Sequence, residues 1–205
     1  MGQSSQRHQR HYPHRGGIET REEYNKQKFS IALVGDSKVG KSCIFRRLVD
    51  GEFDFQHVPT LTPNISNKNF QYYTESFQFE LKDLAGDERF LTLNKLFYKS
   101  CDGVIFVYDI TRKETLKSII DVLYENVRNV CNTNVQLFLV GNKIDLYDWN
   151  KKEHEEIEEM AKEFQKNANI EGMTLCCKAG KYSVDEMFKK IAEKIVKASY
   201  YRIRI

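Results

Sequence analysis

The chain has 205 residues, 40% of them apolar and 30% charged, with a formal net charge of +3. That length suits one domain with a substantial core and excludes two large ones, and no apolar run approaches the roughly 20 residues of a membrane span. So small a charge gives no footing for nucleic-acid binding, and basic residues sit beside acidic ones, as Lys151 and Lys152 do before Glu153, Glu155 and Glu156.

Residues 1–27 form a tail rich in Gln, Ser, Arg and His, carrying Arg7, Arg10 and Arg15 and no acidic residue before Glu19. Such a composition is expected to stay disordered on its own. Order should begin at FSIALVG (29–35), a short apolar strand that stops at glycine. The amphipathic KSCIFRRLVDG follows as a helix ending near Gly51. Between them GDSKVGKS, from Gly35 to Ser42, fits G-x-x-x-x-G-K-[ST]. The strand–loop–helix setting is the one this pattern requires. The loop residues Ser37, Lys38, Val39, Gly40, Lys41, Ser42 and Cys43 are therefore expected to cradle phosphates on backbone N–H groups, with the Lys41 side chain reaching the β/γ oxygens.

NFQYY (69–73) and SFQFELKD (76–83), joined by a turn at TES, predict a hairpin. DLAGDER follows it. Asp83 is well placed to hold Mg²⁺ through water, and Gly86 brings a backbone N–H close to a γ-phosphate. GVIFVYD (103–109), VQLFLVGN (135–142) and MTLCC (173–177) read as strands covered on both faces. Helical patterns lie at 114–130, 151–167 and 184–201, the last with Val184, Met187, Phe188, Ile191, Ile195 and Val196 on one stripe. The alternation gives an α/β class: a six-stranded, mostly parallel doubly wound sheet with one antiparallel edge hairpin and about five helices.

Ligands of such sheets sit at the carboxyl ends of the strands, where NKID (142–145) falls. A carboxylate only accepts hydrogen bonds. Asp145 therefore suits the N1–H and amine of guanine, whereas adenine would oppose it with a lone pair, so GTP is favoured over ATP. A site built on such a pair rejects the wrong base by about 10⁴. An ATP-dependent small-molecule kinase is disfavoured on the same ground. Lys143 is expected to lay its stem over the base and Asn142 to brace the loop. Cys176, Cys177 and Lys178 are expected to supply a backbone N–H near the guanine oxygen and a second stem.

Taken together, these motifs resemble the Ras-like small GTPases over residues 29–201, most closely the Rab branch. RFLTLN (89–94), FYKSCDG (97–103) and VYDIT (107–111) are similar to Rab's RFRTIT, YYRGA and VYDVT. The resemblance implies a P-loop NTPase G domain over residues 28–205, with GTP/GDP and Mg²⁺ as its ligands. It places Ser42 and Thr60 on the metal with Asp83, Thr60 and Gly86 at the γ-phosphate, and Phe53 at the guanine edge. It also implies a switch whose two loops release when the γ-phosphate is lost, read by effectors and by exchange and activating proteins. Thr60 lies 19 residues after Lys41 and follows Pro59, though Thr62 is near enough to compete. Phe53 is equally readable as loop packing.

Several positions depart from the family pattern. Asp87 stands where related enzymes carry the glutamine that orients the attacking water. It is a methylene shorter, cannot donate when ionised, and brings negative charge toward the phosphate. With Asp87, Lys41 and Thr60 as the catalytic set, intrinsic hydrolysis is expected to be slow, by a factor on the order of 10²–10³. The competing expectation is a hydrolysis-deficient scaffold or assembly subunit that holds its nucleotide. Lys38 takes a position usually small and is read as facing solvent. Lys82 replaces a tryptophan and LTPNI (61–65) replaces IGVDF, both on the expected effector surface. No cysteine follows Cys177, so a prenyl anchor is expected to be absent, while Met1–Gly2 with Gln6 leaves myristoylation open. Cys43, Cys101, Cys131, Cys176 and Cys177 read as reduced and buried. Without a signal sequence this points to the cytoplasm, with peripheral membrane association and a part in vesicle traffic left open.

Overall fold

The computed structural model describes residues 27–53, 59–178 and 181–203. Residues 1–26 of the basic tail lie outside the described residues, and the expectations of disorder and of acylation at Gly2 fall there. Six strands form one sheet in the order β2-β3-β1-β4-β5-β6. They are β1 (Lys28–Val34), β2 (Asn64–Tyr72), β3 (Glu75–Asp83), β4 (Gly103–Asp109), β5 (Gln136–Asn142) and β6 (Glu171–Thr174). Only the β2–β3 pair is antiparallel, its register running from Asn64 opposite Asp83 to Tyr72 opposite Glu75.

Five helical runs cover the sheet. They are α1 (Lys41–Val49), α2 (Leu91–Tyr98), the run α3 (Lys113–Ser118) through a π turn (Ile119–Leu123) into α4 (Tyr124–Arg128), α5 (Lys152–Ala168) and α6 (Lys181–Ile203). Strand alternation divides the core in two. Along β4, Ile105 and Val107 face α1 and α6, meeting Ile44, Leu48, Phe188 and Ile191. Val104, Phe106 and Tyr108 face the other helices, meeting Leu116, Leu123, Ile157 and Phe164. Both faces of β4 are therefore dry, which is why its apolar run is continuous. No helix among the described residues is long and apolar enough to cross a membrane.

Five features differ from expectation. The hairpin begins at Asn64 rather than near 69, because the polar stretch Asn64–Lys68 is carried by its ladder to β3 and not by its own propensity. The last strand ends at Thr174; Leu175, Cys176 and Cys177 beyond it are buried as well, Leu175 N–H donating to Gly141 O at 2.8 Å. Helix α2 gives a weak pattern in sequence because Leu93 and Leu96 point outward, 44% and 73% exposed. Lys82 does not lie on a surface. It is 5% exposed, its ammonium 3.2 Å from Glu80 Oε1 and 3.4 Å from Ser100 Oγ, since its β3 position faces α2 from within the sheet. Leu61 and Ile65 of LTPNI are exposed. All five cysteines are free thiols, but Cys43 and Cys131 are only half-buried.

Candidate active site

The carboxyl ends of β1, β3, β5 and β6 open onto one cavity of about 960 Å³. Its wall includes Ser37, Lys38, Gly40, Lys41, Ser42, Cys43, Phe53, Thr60, Gly86, Asp87, Asn142, Lys143, Asp145, Cys177 and Lys178. Of the residues expected to bind nucleotide or metal, Val39, Asp83 and Cys176 stand behind this wall. Val39 is fully buried, and Asp83 lines the adjoining groove with Ser42 and Thr60.

The phosphate-loop backbone takes its shape from two glycines. Gly35 has φ +151°, and a β-carbon there would lie 2.1 Å from the Val107 carbonyl; Gly40 has φ +103°, and its absent β-carbon leaves room for the Asn142 amide. Lys38 sits at φ +66°, a left-handed conformation that costs an L-residue about 1–2 kcal/mol, which accounts for the small residue usual there. Lys41 is 5% exposed and donates to the carbonyls of Gly35 and Asp36, both at 2.8 Å. Burial lowers its pKa to about 8, against the opposing pull of Asp83 and Asp36. A β-carbon on Gly86 would fall 2.3 Å from the Lys41 ammonium, so the strand β3 exit approaches the phosphate loop as closely as backbone allows.

Ser42 Oγ and Thr60 Oγ1 lie 2.9 Å apart, so Thr60 rather than Thr62 is the threonine that meets the loop. Asp83 is fully buried close by, and its Oδ1 has no hydrogen-bond partner. Burial raises its pKa, with the Ser42 hydroxyl and the Lys41 ammonium opposing. Two hydroxyls and an unsatisfied buried carboxylate oxygen are all hard oxygen donors, the set that suits Mg²⁺. Among the described residues no cluster of three or more His, Cys, Asp or Glu is placed to hold a metal ion.

The base side of the cavity is held together by Asn142. Its Nδ2 donates to Val39 O at 2.9 Å, and its Oδ1 accepts from Cys177 N–H at 3.3 Å, so the brace uses the N–H expected to meet a guanine oxygen. Lys143 donates to Lys38 O at 2.8 Å and to Asp109 Oδ2 at 2.7 Å, which stretches its stem along the cavity. Asp109 also accepts from Thr111 and Arg112, and against the effect of burial its bonds with Lys143 and Thr111 hold its pKa down. Asp145 is exposed to the cavity and accepts from the Cys176 thiol at 2.9 Å. Phe53 packs on the core edge with the Arg47 guanidinium 5.2 Å from its ring, and Arg47 also donates to the carbonyls of Gly51 and Cys177.

Asp109, Arg47 and Arg89 were not assigned site roles from sequence, nor was the Cys176 thiol as a donor to Asp145. Asp109 had a signal there: it is a polar residue ending a buried strand, the feature that drew notice to Asn142. Arg89 changes the account of Asp87. The Asp87 carboxylate caps the 3₁₀ turn Glu88–Phe90 and accepts from Arg89 N–H and Nε at 2.9 Å and from Nη2 at 2.7 Å. The fork holds its pKa near 2, so the carboxylate is ionised but its charge is matched.

The Ras family profile matches residues 30–197. The chain belongs to the Ras family. It is 32% identical over 183 residues to the Ras-related protein Rab-1C of Dictyostelium discoideum, covering 89% of this chain and 88% of that one. It is 31% identical over 181 residues to RABA5b of Arabidopsis thaliana (86% and 82%), and 32% identical over 142 residues to the GTP-binding protein ypt1 of Schizosaccharomyces pombe (69% and 68%). With these relatives the protein is a small GTPase of the Rab branch.

Proposed function

We propose that this Ras-family GTPase is a guanine-nucleotide switch with slow intrinsic hydrolysis, working in vesicle or membrane traffic from the cytoplasm with peripheral membrane association. The observation that carries the reading is Asn142, which ties the phosphate loop at Val39 to the base loop at Cys177 and so joins both ends of a nucleotide site in one cavity. Asp145 is the guanine-reading acceptor, oriented by Cys176. The phosphate-loop N–H groups and Lys41 hold the triphosphate tail. Ser42 and Thr60, with Asp83 behind them through water, would hold Mg²⁺, which when bound offsets phosphate charge. Thr60 and Gly86 read the γ-phosphate, so its loss frees the segments that follow them. Exposed Leu61, Ile65, Leu93 and Leu96 offer partners a surface beside those segments. The traffic assignment rests on the Rab likeness alone.

Slow hydrolysis follows from what Asp87 lacks. Its oxygens only accept, so no donor at this position aligns an attacking water. A second reading is favoured by the same fork: a subunit that keeps GTP bound as a scaffold and scarcely turns over. Identifying the nucleotide released from purified protein, then following single-turnover decay with Mg²⁺, separates the two. Bound guanine nucleotide with slow decay supports the switch, and retained GTP that does not decay supports the scaffold. Bound ATP, or an Asp145→Ala variant with unchanged guanine affinity, would sink both.

A further inference from the structure

The Asp87–Arg89 fork has a consequence for which nucleotide the site prefers. Asp87 and Arg89 line the same cavity as Lys41, Thr60 and Gly86. Asp87 follows directly on the glycine whose backbone closes against the Lys41 ammonium. With a nucleotide held as proposed above, a carboxylate next to Gly86 lies toward the end of the phosphate tail that a triphosphate has and a diphosphate lacks. Left unmatched, it repels the triphosphate selectively. Arg89 closes on it with three hydrogen bonds from one residue, two to Oδ1 and one to Oδ2. Its side chain is 75% exposed and packs into no core, so holding the fold together is not its main contribution.

We infer that Arg89 is a specificity-determining residue: by pairing Asp87 it removes the carboxylate's repulsion of the γ-phosphate and sets the balance between triphosphate and diphosphate binding. The inference rests on the nucleotide site proposed above and deepens it. Arg89 acts through Asp87, and its backbone N–H also keeps the carboxylate turned back over the 3₁₀ turn. Arg89→Ala exposes the full charge, whereas Asp87→Asn removes the charge that Arg89 is there to match. The two substitutions must therefore be coupled, and the coupling must appear for one nucleotide only.

The test is equilibrium binding of GDP and of a non-hydrolysable GTP analogue, each with Mg²⁺, to the full chain and to three variants: Arg89→Ala, Asp87→Asn and the double variant. Arg89→Ala is expected to weaken the analogue by roughly fivefold to thirtyfold while GDP stays within about twofold, which also reports that the fold is intact. Adding Asp87→Asn to Arg89→Ala restores the analogue-to-GDP ratio. Raising the ionic strength shrinks the Arg89→Ala effect. An unchanged ratio in Arg89→Ala, an equal loss for both nucleotides, or no rescue in the double variant overturns the inference while leaving the nucleotide site standing. Failure of the unaltered chain to bind any guanine nucleotide overturns the site reading and this inference with it.

Discussion

A β-carbon on Gly40 would lie 2.2 Å from Nδ2 of Asn142, which occupies the space that glycine leaves empty. From there Asn142 reaches Val39 O on one side and Cys177 N–H on the other. The loop that grips phosphate and the loop that reads the base thus depend on one buried amide. Asn142→Ala leaves a buried carbonyl and a buried N–H unpaired, and is expected to lower stability by about 2–4 kcal/mol in urea unfolding. A loss below about 1 kcal/mol would show that the brace is dispensable.

Lys41 ties stability to pH in an unusual direction. Its folded pKa of about 8 lies below the ordinary lysine value of 10.5, so between these values the unfolded chain binds more protons than the folded one. Stability from this group therefore rises as pH increases from about 8 to 10.5, and the penalty for burying its charge is fully present below pH 8. The comparison that isolates this group is with Lys41→Met. The stability difference between the two proteins should shift in favour of the unaltered chain by up to about 3 kcal/mol across this range. A flat difference would mean that Lys41 is not desolvated.

Asp87→Gln supplies the missing donor. Single-turnover GTP hydrolysis is expected to quicken by at least about tenfold. Equal rates in the two proteins would place the slow step elsewhere.

The Cys176 thiol donates to Asp145 Oδ1 at 2.9 Å. Cys176→Ser keeps a donor of similar size, and guanine affinity should stay within a few fold. Cys176→Val leaves the carboxylate free to turn, with a loss of roughly tenfold or more expected in nucleotide titrations. Identical affinities for the two variants would remove Cys176 from the site.

Lys82 is buried beside Glu80, which is itself 45% exposed on its side chain. Removing the charge while keeping the apolar stem should cost little, so Lys82→Met is expected to be neutral or stabilising by up to about 2 kcal/mol. Glu80→Ala, which strands the ammonium, should be destabilising. Thermal melts of the two variants moving together would contradict this.

Sequence alone brought out whatever depends on backbone chemistry at a strand end. The two glycines of the phosphate loop, Lys41, Gly86 and the NKID run are dictated by contacts that few side chains can make, so their spacing carried through to the structure. What stayed hidden depends on partners distant in the chain. Burial of Lys82 follows from the place of β3 between β2 and β1, and a lysine beside apolar strand residues gives no sign of that. Arg89 was visible only as part of a familiar hexapeptide, because nothing in the order of residues tells which way its guanidinium turns. Leu175–Cys177 looked like strand for a related reason: a buried segment just past a strand's end is as apolar as the strand itself.

The π turn at Ile119–Leu123 bears on how the chain tolerates changes in length. Bonding from i to i+5 absorbs one residue more than ordinary α-helix, and within this turn Ile119 and Leu123 are buried while Val122 faces outward. Deleting Val122, 43% exposed within the turn, should convert it to plain α-helix and leave the melting temperature within a few degrees. The same deletion inside α5 would rotate everything downstream by about 100° and expose Phe164. The protein therefore carries a built-in spare residue, sited where an insertion can be gained or lost without rewriting the core.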